Sequence, residues 1–308
     1  MSSCILCDSA RLRVVEPEVR DNRFASPGTW RILACEDCGL WQTDPIPTPA
    51  QLQELYERHY NFGGEGETGS LWANLRAAFF ASPFYRLLLA LDGDVSFHSK
   101  RGKGRLLDVG CNEGRGLAIY EANGFHAEGL ELNRVAADAA RQKGFVVYDV
   151  DIAALRPAAP YDVIVLSNVL EHALHPQGML TEIRRLLNSG GELWISLPNA
   201  ESALRERFGA DWINWHVPFH ITHFTAARLA RLLDDAGFTV SRTRNFTPAL
   251  WYAQSTIARD FPDAPRRQRD PLRVLPLMLA AMTIHAAARA QWNRSGRGDC
   301  LVVEAKRR

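Results

Sequence analysis

From residue 105 onward, short apolar runs alternate with stretches whose apolar residues recur at helical spacing. Glycines, prolines and charged residues bound the runs, so the pattern predicts strands at 105–109, 127–131, 145–148, 162–166, 192–196, 239–245 and 300–305. The same reading predicts helices at 116–123, 134–143, 179–187 and 225–236, with Gly190–Gly191 as a helix stop before the fifth strand. Strand and helix in alternation point to an α/β fold built on a doubly wound sheet of seven strands. The segment 248–298 breaks the alternation and reads as a helical insertion. Upstream, "LRVVEPEV" and "TWRILAC" pattern as the two strands of a hairpin. Pro45, Pro47 and Pro49 then form a linker, and Thr48–Pro49 starts a helix carrying Tyr56 and Tyr60. The Gly/Glu-rich stretch 61–70 reads as a loop, and 71–91 as an amphipathic helix broken or kinked at Pro83.

The first strand of the alternating region ends on Asp108 and enters a loop bearing Gly110, Gly114 and Gly116; the second ends on Glu131. A glycine-bearing strand-to-helix turn, with a carboxylate closing the next strand for ribose hydroxyls, is a nucleotide-type pocket. The glycines read G-x-x-x-G-x-G, not the G-x-G-x-x-G that lets a backbone close on a diphosphate. Asp108 and Glu113 would also repel a diphosphate at the helix N-terminus. An adenosine ligand with a free amino group and a positive sulfur suits the loop better, which points to S-adenosylmethionine (SAM).

Four of the six cysteines form two C-x-x-C knuckles, Cys4/Cys7 and Cys35/Cys38. Without a secretory signal, two such knuckles read as one tetrahedral zinc site; two redox or free-thiol pairs are the alternative. Four sulfurs leave no open coordination position, so the zinc is expected to be structural. A composition of 46% hydrophobic and 23% charged residues is that of a soluble globular protein, and a net charge of +1 argues against a nucleic-acid partner. The N-terminus lacks a basic region followed by a long apolar one, and 274–284 is too short to span a bilayer, so a cytoplasmic, non-transmembrane protein is expected. Arg266, Arg267, Arg269 and Arg273 ahead of that apolar segment leave a peripheral membrane contact open, with a solvated face as the ordinary reading.

Five segments in order, "LLDVGCNEGRG", the strand ending on Glu131, "YDVIVLSNVLEHALHP", "LLNSGGELWISLPN" and "GDCLVVEAKR", resemble the class I SAM-dependent methyltransferases from about 106 to 306. The resemblance implies a Rossmann-like seven-stranded sheet whose last strand inserts antiparallel. It also implies that Asp108, Gly110, Cys111 and Gly114 line the methionine and ribose side and that Glu131 takes both ribose hydroxyls. Asp151 and Ile152 would contact adenine, with Asp149 an equally placed rival, and Asn168 would lie beside the transferable methyl. With its N-terminal knuckles the chain further resembles bacterial zinc-ribbon methyltransferases, a group that includes sugar C-methyltransferases and relatives associated with surface polysaccharides. This divides the chain into a zinc ribbon (1–46), a helical linker or lid (47–100) and a methyltransferase domain (101–308).

Methyl transfer from a sulfonium is an in-line displacement, helped by collinear positioning and, for a hydroxyl acceptor, by a base. Two groups of residues are candidates for the acceptor side. The first is Glu171–His172 after the fourth strand, where the resemblance favours His172 as base with Glu171 orienting it or touching the acceptor. The second is "DWINWHVPFHITHFT", in which Trp215, His216, His220 and His223 offer stacking, hydroxyl contacts or a base. His220 and His223 are also spaced for a metal on a helical turn, though a third ligand is not apparent. Tyr60, with Tyr56, would close over the pocket; packing within the helix is the equal alternative. The expected acceptor is a sugar, as nucleotide sugar or glycan, methylated on oxygen or carbon. A small phenol or quinone precursor is the alternative acceptor, and a SAM-binding module without catalysis the alternative class.

Overall fold

A computed structural model describes residues 2–59, 78–262 and 270–308. The alternating region forms one sheet from strands β4 (Arg105–Val109), β5 (His126–Leu130), β6 (Val146–Tyr148), β7 (Tyr161–Ser167), β8 (Leu187–Pro198), β10 (Phe238–Phe246) and β11 (Cys300–Arg307). Their order is β10-β11-β8-β7-β4-β5-β6. β4 to β8 pair in parallel, and β11 inserts antiparallel to both β8 and β10, as expected.

Both faces of the central strands are buried, which is why they read as continuous apolar runs. Leu107, Val109, Ile164, Leu166, Leu193 and Ile195 face one core, under α5 (Pro176–Leu186) and, beyond the short α6 (Ala203–Phe208) in the chain, α7 (Ala226–Asp235). Leu106, Val163, Val165 and Trp194 face the other, under α3 (Arg115–Ala122) and α4 (Arg134–Gln142). The strand order reverses between β4 and β7. That switch point is where an open α/β sheet leaves a crevice beyond its carboxyl ends.

The bounds of one helix differ from the sequence expectation, and the expected break at Pro83 is present. Helix α5 starts at Pro176, whose fixed φ and missing N–H suit the first helical position, and ends at Leu186. Gly190–Gly191 is therefore no helix stop: it lies inside β8, where the pairing with β7 jumps from Tyr161↔Leu187 to Val163↔Glu192 and Gly190 adopts φ 70°. The predicted helix 71–91 breaks at Ser82, whose Oγ accepts from the Tyr85 amide to cap α2 (Pro83–Asp92); residues 71–77 lie outside the described residues. The insertion folds as α8 (Ala249–Asp260), α9 (Pro271–Met282) and α10 (Ala286–Arg294). Among the described residues no single helix is long and apolar enough to cross a membrane, though α9 and α10, bent by 67°, pass such a test as a pair. Arg266, Arg267 and Arg269 lie outside the described residues.

The N-terminal hairpin β1 (Leu12–Val19) and β2 (Trp30–Cys35) continues into β3 (Trp41–Asp44) and then α1 (Pro49–His59). Its fourth strand, β9 (Thr222–His223), comes from the acceptor-side segment: Trp41 pairs with His223 and Gln42 with Thr222. The hydrogen-bonded sheet thus reaches from the cysteine knuckles into the loop beyond β8. Gln42 also fixes the first knuckle, accepting from the Ile5 amide at 2.9 Å and donating to the Ser3 carbonyl at 2.9 Å.

Candidate active site

The loop after β4 owes its shape to three residues with left-handed backbones, Gly110 (φ 74°), Asn112 (φ 51°) and Gly114 (φ 76°). At Gly114 a Cβ would also lie 2.9 Å from that of Ala140, so only glycine lets the loop close on α4. Glu131 holds the loop from the next strand. Its two carboxylate oxygens accept from the amides of Asn112 at 2.9 Å and Asn133 at 2.8 Å. Each oxygen keeps a second lone pair, so the side chain is oriented and still able to take ribose hydroxyls. Asp108 is buried beneath the loop, where desolvation and then the charge of Glu131 push its carboxyl up to about 7. A ligand carrying positive charge would favour ionisation of such a carboxyl.

Four of the expected cofactor residues are placed differently from one another. Cys111 packs into the core with Leu117 and Ala137, its sulfur where a Cβ on Gly129 would fall, so its thiol wedges the loop rather than facing a ligand. Ile152 is largely buried against the other core, while Asp151 is exposed and its Oδ1 caps the Ala153 amide at 2.8 Å. Its rival Asp149 is engaged by Arg141 at 3.1 Å. Asn168 follows β7 in a left-handed conformation (φ 55°), with its amide donating to the Ser196 carbonyl at 2.8 Å.

Asn168 opens onto a cavity of about 190 Å³, lined by Arg23, His172, Asn214, His216, His220 and Trp251 as well. His172 Nδ1 lies 3.0 Å from the Phe219 carbonyl and 2.9 Å from the Tyr56 hydroxyl. His220 Nδ1 lies 2.9 Å from the Asn214 carbonyl. A carbonyl only accepts, so Nδ1 carries the proton in both rings and the lone pair sits on Nε2. Glu171 is buried beside them, its Oε1 3.9 Å from His220 Nε2. Burial sets the charge states: it pushes Glu171 up to about 8 and His172 down to about 4, and it lowers His220 well below the imidazole range. The cluster is neutral at pH 7, with a protonated acid beside two neutral imidazoles.

The structure brings Asn168, His172, His216 and His220 together around this cavity, with Glu171 buried beside them, and places other expected residues away from it. Trp215 is fully buried, with Nε1 donating to the Gly209 carbonyl at 2.9 Å and the ring edge-on to Trp212; it has no face on the cavity. His223 is buried in β9 at 3.0 Å from Thr43 Oγ1, and burial lowers its pKa to about 3. It does not pair with His220 around a metal, because the segment is a strand there and not a helical turn. Tyr60 lies outside the described residues, and Tyr56 is the tyrosine of that helix that reaches His172. Arg23, Asn214 and Trp251 were not anticipated. Arg23 comes from the β1–β2 connection, donating to the Ile213 carbonyl at 3.2 Å and Asn214 Oδ1 at 3.0 Å. No local spacing marks a residue delivered from so far along the chain.

The four knuckle cysteines are free thiols whose sulfurs all lie within 4.8 Å of one another, with Cys4–Cys38 at 3.5 Å and Cys7–Cys35 at 3.6 Å. Tetrahedral thiolate bonds of about 2.3 Å place sulfurs about 3.8 Å apart, so the cluster fits a metal ion.

The sheet order, the inserted antiparallel strand and the carboxylate-closed loop at the switch point define a Rossmann-like fold with a nucleotide-type site. Residues 81–243 match the family described as "Methyltransferase domain", and the chain belongs to that family. Over 141 residues it is 32% identical to a probable S-adenosylmethionine-dependent methyltransferase of Mycolicibacterium smegmatis, covering 45% of this chain and 53% of that protein. Over 150 residues it is 28% identical to a ubiquinone biosynthesis O-methyltransferase of Aeromonas salmonicida, covering 44% and 63%. The chain thus spans between about half and two thirds of the length of these relatives. A solved structure of a possible histamine N-methyltransferase from Thermotoga maritima superposes with a TM-score of 0.49 at 15% identity, covering 83% of this chain and 100% of that one.

Proposed function

We propose that the protein is a SAM-dependent methyltransferase acting on a hydroxyl of a polar acceptor, a sugar presented as a nucleotide sugar or within a glycan. The observation that carries this reading is the cavity beyond Asn168, lined by Arg23, Asn214, three histidines and the indole of Trp251. Polar groups on several sides suit an acceptor with several hydroxyls, and the indole offers one face for a ring. SAM is held by the Asp108 loop and Glu131, with Asp151 at adenine and the sulfonium near Asp108. The acceptor oxygen attacks the methyl carbon in line as the C–S bond breaks toward sulfur. Its proton passes to Nε2 of His172, whose Nδ1–H is braced on the Phe219 carbonyl. His220 lines the base's side of the cavity, and Glu171 is buried next to it. The four cysteines hold a structural zinc ion, and the helix with Tyr56 belongs to a lid over the site.

The ubiquinone O-methyltransferase likeness favours a second reading, a phenol or quinone precursor as acceptor. Transfer of labelled methyl from SAM to a panel of nucleotide sugars, glycans and phenols decides between them, with Glu131→Ala as control. Label in a sugar, lost with the substitution, supports the first reading. Label confined to phenols moves the protein to the second, and cofactor binding without label in any acceptor removes both.

A further inference from the structure

Glu171 is the anomaly of the cavity. The residue is 1% exposed, and among the described residues neither carboxylate oxygen has a hydrogen-bond partner. Native folds leave few buried polar atoms in that state, and an ion is one of the things that account for them. The neighbours of Glu171 narrow the choice. One ligand atom each from Glu171, His172 and His220 lies within 4.8 Å of the other two. Both rings are already braced through Nδ1 on backbone carbonyls, with Nε2 bearing the lone pair. An outer hydrogen bond of this kind, fixing tautomer and ring orientation, is what metal-ligating histidines have.

We propose that Glu171, His172 and His220 form a binding site for a divalent first-row transition metal at the acceptor cavity, separate from the four-cysteine cluster. Two imidazoles and one carboxylate suit zinc, iron, cobalt or manganese, whereas magnesium and calcium prefer oxygen ligands alone. Three protein ligands leave at least one coordination position facing the cavity, the mark of a reactive rather than a closed site. Around a tetrahedral ion with bonds of about 2.1 Å the ligand atoms stand about 3.4 Å apart. The 3.9 Å between His220 Nε2 and Glu171 Oε1 therefore needs only a small contraction. Two neighbours bear on the site. His216 Nδ1 lies 3.3 Å from His220 Nε2 and must turn away when the metal enters. The Arg23 guanidinium lines the same cavity and opposes a dication, while the charge Glu171 acquires on releasing its proton to the metal offsets it.

The role of this metal rests on the reading of the cavity as the acceptor site. An acceptor hydroxyl on the open position has its pKa lowered and its oxygen held toward Asn168. The hydroxyl proton leaves to solvent, the oxygen forms the new bond to the methyl carbon, and the C–S pair returns to sulfur as S-adenosylhomocysteine. In this form of the mechanism His172 serves as a ligand, not as the base.

The test uses the full chain, stripped by chelator and reloaded with one equivalent of Zn2+, then titrated with Co2+ alone under visible absorption and metal analysis. A second equivalent should bind with weak d–d bands and no thiolate-to-cobalt charge transfer. Glu171→Gln and His220→Ala should each weaken that uptake at least tenfold, while melting of the isosteric Glu171→Gln stays within a few degrees of the parent. No uptake outside the thiolate site overturns the proposal, as does uptake unchanged in both variants. Methyl transfer that proceeds undiminished in metal-stripped protein also overturns it while leaving the methyltransferase reading intact. Uptake lost in both variants, with no acceptor methylated, sustains the metal site and removes the acceptor reading instead.

Discussion

The hydroxyl of Thr43 lies 2.6 Å from the carbonyl oxygen of His220 and 3.0 Å from Nε2 of His223. The carbonyl accepts, so Thr43 donates its one proton there and receives a hydrogen bond from His223 Nε2–H. His220 sits on the loop that walls the cavity beyond Asn168, His223 follows it in β9, and Thr43 sits on β3, next to the strand that ends on Cys35. The cysteine-bearing hairpin is thus continuous, through one buried hydroxyl and the β3–β9 pairing, with the placement of His220.

That continuity predicts a particular split for Thr43→Val. Two buried groups lose their partner at similar side-chain volume, which should lower stability by about 1–3 kcal/mol. The loop around Glu131 stands on other strands, so the dissociation constant for SAM should stay within twofold. The rate with acceptor should fall at least tenfold. Calorimetry and labelled-methyl transfer on the same preparation check both halves, and equal loss of SAM affinity would contradict the argument. Cys35→Ser should release the bound metal and show the same pattern more strongly.

Asp108 gives a pH dependence with a defined sign. Its folded-state pKa is raised from 3.8 to about 7, so the folded protein holds a proton that the unfolded chain has released. The associated stability is fully present below about pH 4 and is lost as pH rises toward 7, a cost of about 4 kcal/mol at ~1.4 kcal/mol per pH unit. In the absence of SAM, Asp108→Asn should therefore melt higher than the parent at pH 8 and close to it at pH 4. A cationic ligand reverses the preference, because it binds the carboxylate form. SAM affinity should rise with pH up to about 7 and then level off, and Asp108→Asn should abolish that rise. Calorimetric titrations at pH 6 and pH 8 read this directly; pH-independent affinity in the parent would sink it.

On the proposed reading Glu131 has two functions, since the oxygens it would offer to ribose are those that tie down the Asn112 and Asn133 amides. Glu131→Ala removes both at once and should weaken SAM binding about a hundredfold, two charge-assisted hydrogen bonds at ~1.5 kcal/mol each. Glu131→Gln keeps the shape and one acceptor oxygen, and should lose roughly half of that free energy. If both substitutions leave affinity unchanged, the cofactor does not occupy this loop.

The parallel core was legible because its strands are buried on both faces and its loop carries glycines where the backbone is left-handed. The cysteine knuckles were legible from spacing alone. A position fixed by the backbone, such as Asn168 at the end of β7 and the edge of the cavity, could be placed on that frame. Side chains whose place depends on direction could not. Cys111 and Trp215 turn into the core, since one small sulfur fits against Gly129 and one indole against Trp212. Arg23 and Trp251 reach the cavity from separate segments of the chain, so only the folded sheet brings them together with His172.

The pH profile of catalysis follows from His172. Whether it takes the acceptor proton or ligates a metal, it needs the lone pair on Nε2, and protonation there stops the reaction. Burial lowers its pKa to about 4, so the acid limb of the rate should lie near pH 4 to 5, with no inflection at the ordinary histidine value of 6.5. His172→Ala should reduce kcat by about 10² to 10⁴, the range a positioned base supplies, with the KM for SAM within twofold. Tyr56→Phe removes one hydroxyl at 2.9 Å from Nδ1 while leaving the Phe219 carbonyl in place, so its effect should be a few-fold. A limb at 6.5 would show that burial does not set the charge of the ring, and a Tyr56→Phe loss as large as that of His172→Ala would show that the tyrosine hydroxyl, not the carbonyl, sets its orientation.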